Sequence, residues 1–80
     1  MRLHLGGHLS WYEPQRRSWL DLAQEEKVSL LELALRLGVP AGEIALAVVN
    51  GRLVPLEQTL VSGDDRVELY PPMQGGSIDA

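Results

Sequence analysis

The sequence predicts an α+β fold, in which one amphipathic helix packs on one face of a mixed sheet of four or five strands. Three observations lead to this prediction. Polar and apolar residues alternate through the first 23 residues around a turn, a leucine-rich segment after them has helical periodicity, and two apolar segments in the second half of the chain flank an Asn-Gly pair. A chain of 80 residues is long enough for one domain.

The first predicted element is a β-hairpin. Apolar side chains alternate with polar ones through residues 1–11, which is the period of a half-buried strand. The adjacent Gly6 and Gly7 interrupt this strand and indicate a bulge or a close approach of another backbone segment. Residues 12–15 have the composition of a turn, and residues 17–23 alternate again and predict the second strand.

A single helix is predicted over residues 30–37. Ser29 is a suitable N-cap, and Glu32, three residues later, completes a capping box. Gly38 matches the position that follows a helix, and Pro40 prevents its continuation. The core-facing stripe is predicted to follow the spacing i, i+3, i+4, i+7 and to consist of Leu30, Leu33, Ala34 and Leu37.

A second hairpin is predicted after the helix. Residues 44–49 are mostly apolar or β-branched, which predicts a strand buried on both faces. Asn50 and Gly51 follow it, and this pair is the strongest short signal for a tight hairpin turn. Residues 52–54 therefore predict a short strand that pairs back.

The last predicted strand covers residues 66–70. The loop before it, residues 56–62, is expected to be anchored in the core by Leu60. Pro71 and Pro72 end the strand, because neither residue has a backbone N–H to donate to a neighbouring strand.

The composition bounds the domain and excludes several classes of function. We expect residues 1–72 to form the domain and residues 73–80 to form a flexible tail. The net charge of -4 argues against binding to nucleic acid, and the pair Arg16 and Arg17 is interpreted as the solvated end of the first hairpin. The sequence has no Cys and no apolar run near the roughly 20 residues that span a bilayer. We expect a cytoplasmic protein with no membrane partner.

Two polar clusters are interpreted as solvent-facing and not as sites. His4 and His8 lie four residues apart but lack a third metal ligand. Asp64, Asp65 and Glu68 do not follow the spacing of a calcium loop. No nucleophile–base set and no phosphate-binding loop is evident, so the sequence predicts a protein without catalytic residues, metal or cofactor.

The second half of the chain resembles the sulfur-carrier family typified by MoaD and ThiS, which has the ubiquitin-like β-grasp fold. The order of predicted elements agrees with that fold, and the segments "VVNGRLV" and "LVSGDDRVELYPPMQGG" carry the resemblance. The likeness is closer to MoaD because two prolines precede the final glycines. The matching pieces, in chain order, are Val49-Asn50-Gly51, Gly63-Asp64, residues 67–70, Pro71-Pro72 and Gly75-Gly76.

This resemblance implies a function at the end of the chain. In the family, a ubiquitin-activating-type (ThiF-like) adenylating enzyme activates the C-terminal glycine with ATP, and the glycine becomes a thiocarboxylate that delivers sulfur to a molybdopterin precursor or to the thiamine thiazole. Gly76, with Gly75 before it, would be that terminus, and Pro71 and Pro72 would direct the tail out of the sheet. The implied partners are the activating enzyme and the large subunit of molybdopterin synthase.

The chain departs from the family pattern after Gly76, where residues 77–80 follow. Either a processing protease removes these four residues, or they are a cloning remnant, or the protein has left sulfur chemistry and serves as a ubiquitin-like interaction module. An RNA-binding relative of the same fold is disfavoured by the negative charge. Because the helix covers one face of the sheet, Trp19 and Tyr70 are predicted to be partner-binding residues on the other face.

Overall fold

The computed structural model describes residues 1–23 and 25–72. These residues form seven strands, one α-helix and two short 3₁₀ helices. The strands are β1 (Arg2–Leu5), β2 (Trp19–Asp21), β3 (Val28–Ser29), β4 (Leu46–Val49), β5 (Arg52–Val54), β6 (Leu60–Val61) and β7 (Arg66–Tyr70). The helix α1 covers Leu30–Arg36, and the 3₁₀ helices cover Gly7–Tyr12 and Ala41–Glu43.

Five of the strands form one mixed sheet in the order β2-β1-β7-β4-β5. The parallel pair β1 and β7 lies inside the sheet, and the other pairs in it are antiparallel. The last strand is therefore the middle strand. The predicted α+β β-grasp architecture, with one helix and a sheet of four to five strands, is confirmed.

The core lies between α1 and one face of this sheet. The buried helix positions are Leu30, Leu33 and Ala34, three of the four predicted, whereas Leu37 is half-buried. Alternate strand residues supply the other side, as expected for side chains with a period of two. These buried strand residues are Leu3, Leu5, Leu20, Ala47, Val67 and Leu69.

The Ser29 half of the predicted capping box is present. The Ser29 side chain accepts a hydrogen bond of 3.0 Å from the backbone N–H of Glu32, while the Glu32 carboxylate pairs with Arg36 one turn later. Gly38 has a φ of +81°, which is the left-handed geometry that favours glycine after a helix. Local chemistry thus fixes both ends of α1.

Removal of this cap is expected to destabilise the protein by about 1 kcal/mol. The Ser29→Ala variant leaves the N–H of Glu32 without its side-chain acceptor. Urea unfolding followed by circular dichroism measures the change, and Ser18→Ala, at an exposed position, is the control. Equal stability of the two variants would contradict the capping role.

The first hairpin is shorter than predicted. Strand β1 ends at Leu5, and the chain continues as a 3₁₀ helix instead of a strand through residue 11. The reason is that Gly6 is buried against the Tyr70 ring and Gly7, with a φ of +51°, lies against Pro71. Of the two predictions for this glycine pair, the bulge is wrong and the close approach of another segment is right. Strand β2 likewise covers Trp19–Asp21 only, not residues 17–23.

Two predictions about the second half are also wrong. Leu60 is not a core anchor, because its side chain is 59% exposed whereas the neighbouring Val61 is buried. These two residues form β6, an unpredicted strand that pairs with β3. Strand β4 is not buried on both faces, since Ala47 faces the core but Leu46 is exposed on the face that α1 does not cover. Within the described residues, no helix has the length and apolar character needed to cross a membrane.

Candidate functional site at the tail exit

The candidate site is the point where the chain leaves the middle strand of the sheet. Strand β7 ends at Tyr70, and Pro71 and Pro72 follow; we call these three residues the tail exit. The predicted sulfur-carrying terminus, Gly75 and Gly76, lies outside the described residues, as does the whole predicted tail of residues 73–80. What the structure describes is the segment just before these residues, through Pro72.

The backbone at the tail exit is fixed from both sides. On one side, the N–H of Gly6 donates to the carbonyl of Leu69 over 2.8 Å. On the other side, the N–H of Ala45 donates to the carbonyl of Tyr70, also over 2.8 Å. Neither bond belongs to a regular strand pair, so both extend the support of β7 by one step beyond the sheet ladder.

The Tyr70 side chain is held as well. Its hydroxyl donates a hydrogen bond to the carboxylate of Glu68, two residues earlier on the same face of β7. This hydrogen bond to Glu68, and to a lesser degree burial, raise the pKa of Tyr70 above its ordinary value. The phenol therefore remains protonated, and remains a donor, throughout the physiological range.

Two glycines form the surface on which the tail exit rests. A methyl group placed on Gly6 would lie 2.5 Å from Cδ1 of Tyr70, and one placed on Gly7 would lie 2.8 Å from Cγ of Pro71. Any side chain at either position would displace the tail exit. Sequence reasoning recognised the break in the strand here but missed this role, because the partner residues are more than 60 positions away.

The two predicted partner-binding residues lie on one face of the sheet, the open face that α1 does not cover. The His4 ring lies between them, with its centroid 4.6 Å from that of Trp19 and 5.8 Å from that of Tyr70. The Arg2 guanidinium also lies over the Trp19 ring, with its Cζ 4.7 Å from the ring centroid. Trp19, His4 and Tyr70 thus form one aromatic row. Partner binding by Trp19 and Tyr70 stays a prediction.

On β4 and β5 the open face carries exposed leucines. Leu46, opposite Tyr70 on β4, and Leu53 on β5 are exposed, and Leu53 is 71% exposed. Nδ1 of His4 is buried and, within the described part of the chain, has no hydrogen-bond partner. Ring contacts, and not a hydrogen bond at Nδ1, thus hold His4 in place.

The motif residues at the opposite end of the sheet have a structural task. The amide of Asn50 donates to the carboxylate of Asp65 over 2.9 Å, and its carbonyl oxygen accepts from the N–H of Arg66 over 2.9 Å. The backbone N–H of Ser62 and then the Asn50 amide lower the pKa of Asp65. The Asn-Gly turn and the Gly-Asp turn are therefore tied together at the start of β7, far from its exit.

The two histidines do not share a strand face. His4 belongs to β1, whereas His8 belongs to the first 3₁₀ helix and places Nε2 2.8 Å from Oε1 of Glu43. The expected placement of both on one strand is wrong because the strand ends at Leu5. Among residues 1–23 and 25–72, no three His, Asp or Glu side chains are grouped to hold a metal ion.

Comparisons with known proteins agree with the fold. A family model described as Mut7-C ubiquitin matches residues 8–76. A thiamine biosynthesis protein from Geobacter metallireducens, solved by NMR in solution, is 28% identical, with 95% of this chain and 88% of that chain covered and a TM-score of 0.51. No curated protein matches the chain. The predicted resemblance to ubiquitin-like proteins of the MoaD and ThiS kind is confirmed, and the preference for MoaD stays a prediction.

Proposed function

Because the chain belongs to the Mut7-C ubiquitin family, we propose that it is a ubiquitin-like sulfur carrier of the MoaD type whose reactive end is Gly76. The carboxylate of Gly76 attacks the α-phosphorus of ATP, which releases pyrophosphate and forms an acyl-adenylate. A sulfide-level sulfur donor then attacks the acyl carbon, AMP leaves, and a thiocarboxylate remains. In this proposal the chain is the substrate of an activating enzyme and supplies no catalytic residue.

The geometry of the tail exit carries the proposal. A carrier has to present its end at a defined place, and the middle strand of the sheet ends in a backbone held on both sides by Gly6 and Ala45. Pro71 and Pro72 cannot donate to a strand ladder, so the chain leaves the sheet there. Gly75 and Gly76 have no side chains and accept almost any backbone angle, which suits a narrow enzyme channel.

Two comparisons support the same proposal. The family match extends through Gly76 and stops before residues 77–80. The solved structure named above is a thiamine biosynthesis protein, and ThiS is the thiamine carrier of the resembled family. The sulfur acceptor proposed here is a molybdopterin precursor, because of the two prolines, with the thiamine thiazole as the alternative.

The proposal includes a processing step and three partners. A protease removes residues 77–80, since the activating enzyme has to act on the carboxylate of Gly76. A ThiF-like adenylating enzyme and the large subunit of molybdopterin synthase then grip the tail and the open face around Trp19 and Tyr70. The net charge of -4 suits basic surfaces on these partners. We place this chemistry in the cytoplasm.

The test compares three chains that differ only at the end. A chain that ends at Gly76 is expected to support pyrophosphate exchange with its cognate adenylating enzyme. With sulfide, its mass is expected to increase by the exchange of one oxygen for one sulfur. The 80-residue chain and a chain that ends at Gly75 are the controls, and both are expected to be inactive. Failure of the Gly76 chain with every cognate adenylating enzyme would refute the proposal.

The second candidate is a ubiquitin-like interaction module that needs no tail. The observation in its favour is the open face, where Trp19, Leu46 and Leu53 are exposed. Deletion of residues 73–80 would then leave partner binding intact, whereas Trp19→Ala would weaken it. A carrier is expected to lose productive binding to its activating enzyme in the first variant.

A further inference from the structure

Two separate segments hold the tail exit, one on each side. The first begins at Gly6, whose N–H bonds to the carbonyl of Leu69, and continues to Gly7, which lies against Pro71. The second ends at Ala45, whose N–H bonds to the carbonyl of Tyr70. Both segments are short, and each includes a 3₁₀ helix, a form with poorer hydrogen-bond geometry than an α-helix.

One side-chain pair joins these two segments. His8, the residue after Gly7, places Nε2 2.8 Å from Oε1 of Glu43, and Glu43 lies two residues before Ala45. The two segments therefore contact the tail exit at Gly7 and at Ala45, and they contact each other through His8 and Glu43. The pair spans 35 positions of sequence, so it couples segments that are not neighbours in the chain.

We propose that His8 and Glu43 are positioning residues for the C-terminal tail, and that their pair clamps together the two segments that hold Tyr70 and Pro71. The role of the clamp in delivering the tail to an enzyme rests on the proposed function. The coupling of the two segments by the pair does not depend on sulfur chemistry. Without the pair, the segments separate more often, and the fraction of molecules with a correctly directed tail falls. An enzyme that binds only that fraction shows a correspondingly weaker apparent affinity.

The pair is suited to positioning and not to chemistry. Both side chains are half-exposed, and the His8 and Tyr12 rings also make a T-shaped contact, with centroids 6.4 Å apart. No further His, Asp or Glu within the described residues joins the pair to make a metal site. A surface pair of this kind contributes little to global stability, so its loss is expected to affect the tail exit more than the fold.

The first experiment measures amide hydrogen exchange in the full 80-residue chain. The His8→Phe variant keeps a ring next to Tyr12 but removes the bonding nitrogen, and Glu43→Leu removes the acceptor. Each is expected to speed exchange at the Gly6 and Ala45 amides about 2–5-fold, the range for an exposed ion pair, while core amides of β7 keep their rates. The control is Glu32→Leu, which breaks a pair with Arg36 on α1, distant in sequence from the tail exit.

The second experiment uses the chain that ends at Gly76 with its adenylating enzyme. His8→Phe and Glu43→Leu are each expected to raise KM by up to about 5-fold at constant kcat, because a smaller fraction of molecules is competent to bind. The double variant is expected to match the single ones, since either change breaks the same pair. His8→Gln, whose amide N–H can still donate to Glu43, is expected to restore the original KM.

The two experiments separate the two proposals. If the Gly76 chain is never adenylated but the exchange rates at Gly6 and Ala45 rise, the sulfur-carrier function fails and the clamp stands. If exchange at both amides is unchanged in His8→Phe and Glu43→Leu, the clamp is refuted, whatever the activity. A rise equal to that in Glu32→Leu would also refute it, because it would reflect general destabilisation.

Discussion

Replacement of Gly6 by alanine is expected to destabilise the protein by about 1–3 kcal/mol, in the range of an overpacked core. The new methyl group would lie 2.5 Å from Cδ1 and 2.9 Å from Cε1 of the Tyr70 ring, and 3.2 Å from the carbonyl oxygen of Leu69. The ring is rigid and its hydroxyl is bonded to Glu68, so a shift of the ring disturbs that bond as well. The loss of stability is therefore accompanied by displacement of the tail exit.

A similar loss of stability is expected for Gly7→Ala, and backbone strain is a further reason for it. Gly7 has a φ of +51°, a region that costs roughly 1–2 kcal/mol for a residue with a Cβ. Gly7→Ala also places its methyl group 2.8 Å from Cγ of Pro71. The backbone strain and the close contact act together at this position.

The matched control for both variants is Gly42→Ala. Nothing lies within 4 Å of a methyl group at position 42, and this glycine does not have a positive φ. Urea unfolding followed by tryptophan fluorescence measures all three free energies of unfolding. Stability of Gly6→Ala equal to that of Gly42→Ala would show that the Tyr70 ring does not rest on the glycine as described.

Elements that depend on neighbouring residues could be predicted from the sequence. The cap at Ser29 and the left-handed glycine at Gly38 act within a few residues of α1. The turn at Asn50 and Gly51 has φ values of +52° and +84°, which both residue types accept, and the hairpin forms as expected. Together with the order of the elements, these local signals were sufficient to predict the β-grasp fold.

Elements that depend on distant residues could not be predicted from the sequence. The end of β1 at Leu5 is fixed by Tyr70 and Pro71, which a reading of the first 12 residues does not include. The exposure of Leu60 and the burial of Val61 depend on which of two adjacent residues faces the core, and a two-residue strand gives no alternation to decide this. The apolar run of β4 indicated burial on both faces, but one helix covers only one side of a sheet.

The same distinction applies to the candidate site. Pro71 and Pro72 indicated the end of the last strand, so the position of the tail exit could be predicted. The residues that hold the tail exit could not be predicted, because Gly6 and Ala45 act through backbone hydrogen bonds that have no sequence signature. The pair of His8 with Glu43 joins residues 35 positions apart and could be found only in three dimensions.

The second large effect is expected at Glu13, in the turn that returns the chain from the first 3₁₀ helix to β2. Glu13 is only 5% exposed, and its carboxylate accepts four hydrogen bonds. Oε1 accepts from the backbone N–H of Arg17 at 2.7 Å and from its Nε at 3.0 Å. Oε2 accepts from the N–H of Gln15 at 3.0 Å and from Nη2 of Arg17 at 3.2 Å.

These bonds make the turn sensitive to acid. The side-chain bond from Arg17 is the largest effect and, with the backbone bonds from Gln15 and Arg17, holds the pKa of Glu13 at about 2, below the ordinary 4.5, although burial opposes the shift. Since the folded-state pKa is the lower one, the carboxylate stabilises the fold fully above about pH 4.5. This stabilisation is expected to be lost as the pH falls from 4.5 towards 2.

The Glu13→Gln variant tests this account without a change of side-chain shape. Each carboxylate oxygen accepts two bonds, so the amide nitrogen would meet donors in either orientation. We expect the Tm at neutral pH to fall by at least about 5 °C and the further fall between pH 4.5 and 2 to become shallower than in the original chain. Glu57→Gln, the same change at an exposed position, is the control. Parallel Tm curves for the original chain and Glu13→Gln over that pH range would contradict the assignment, because the titrating group would then lie elsewhere.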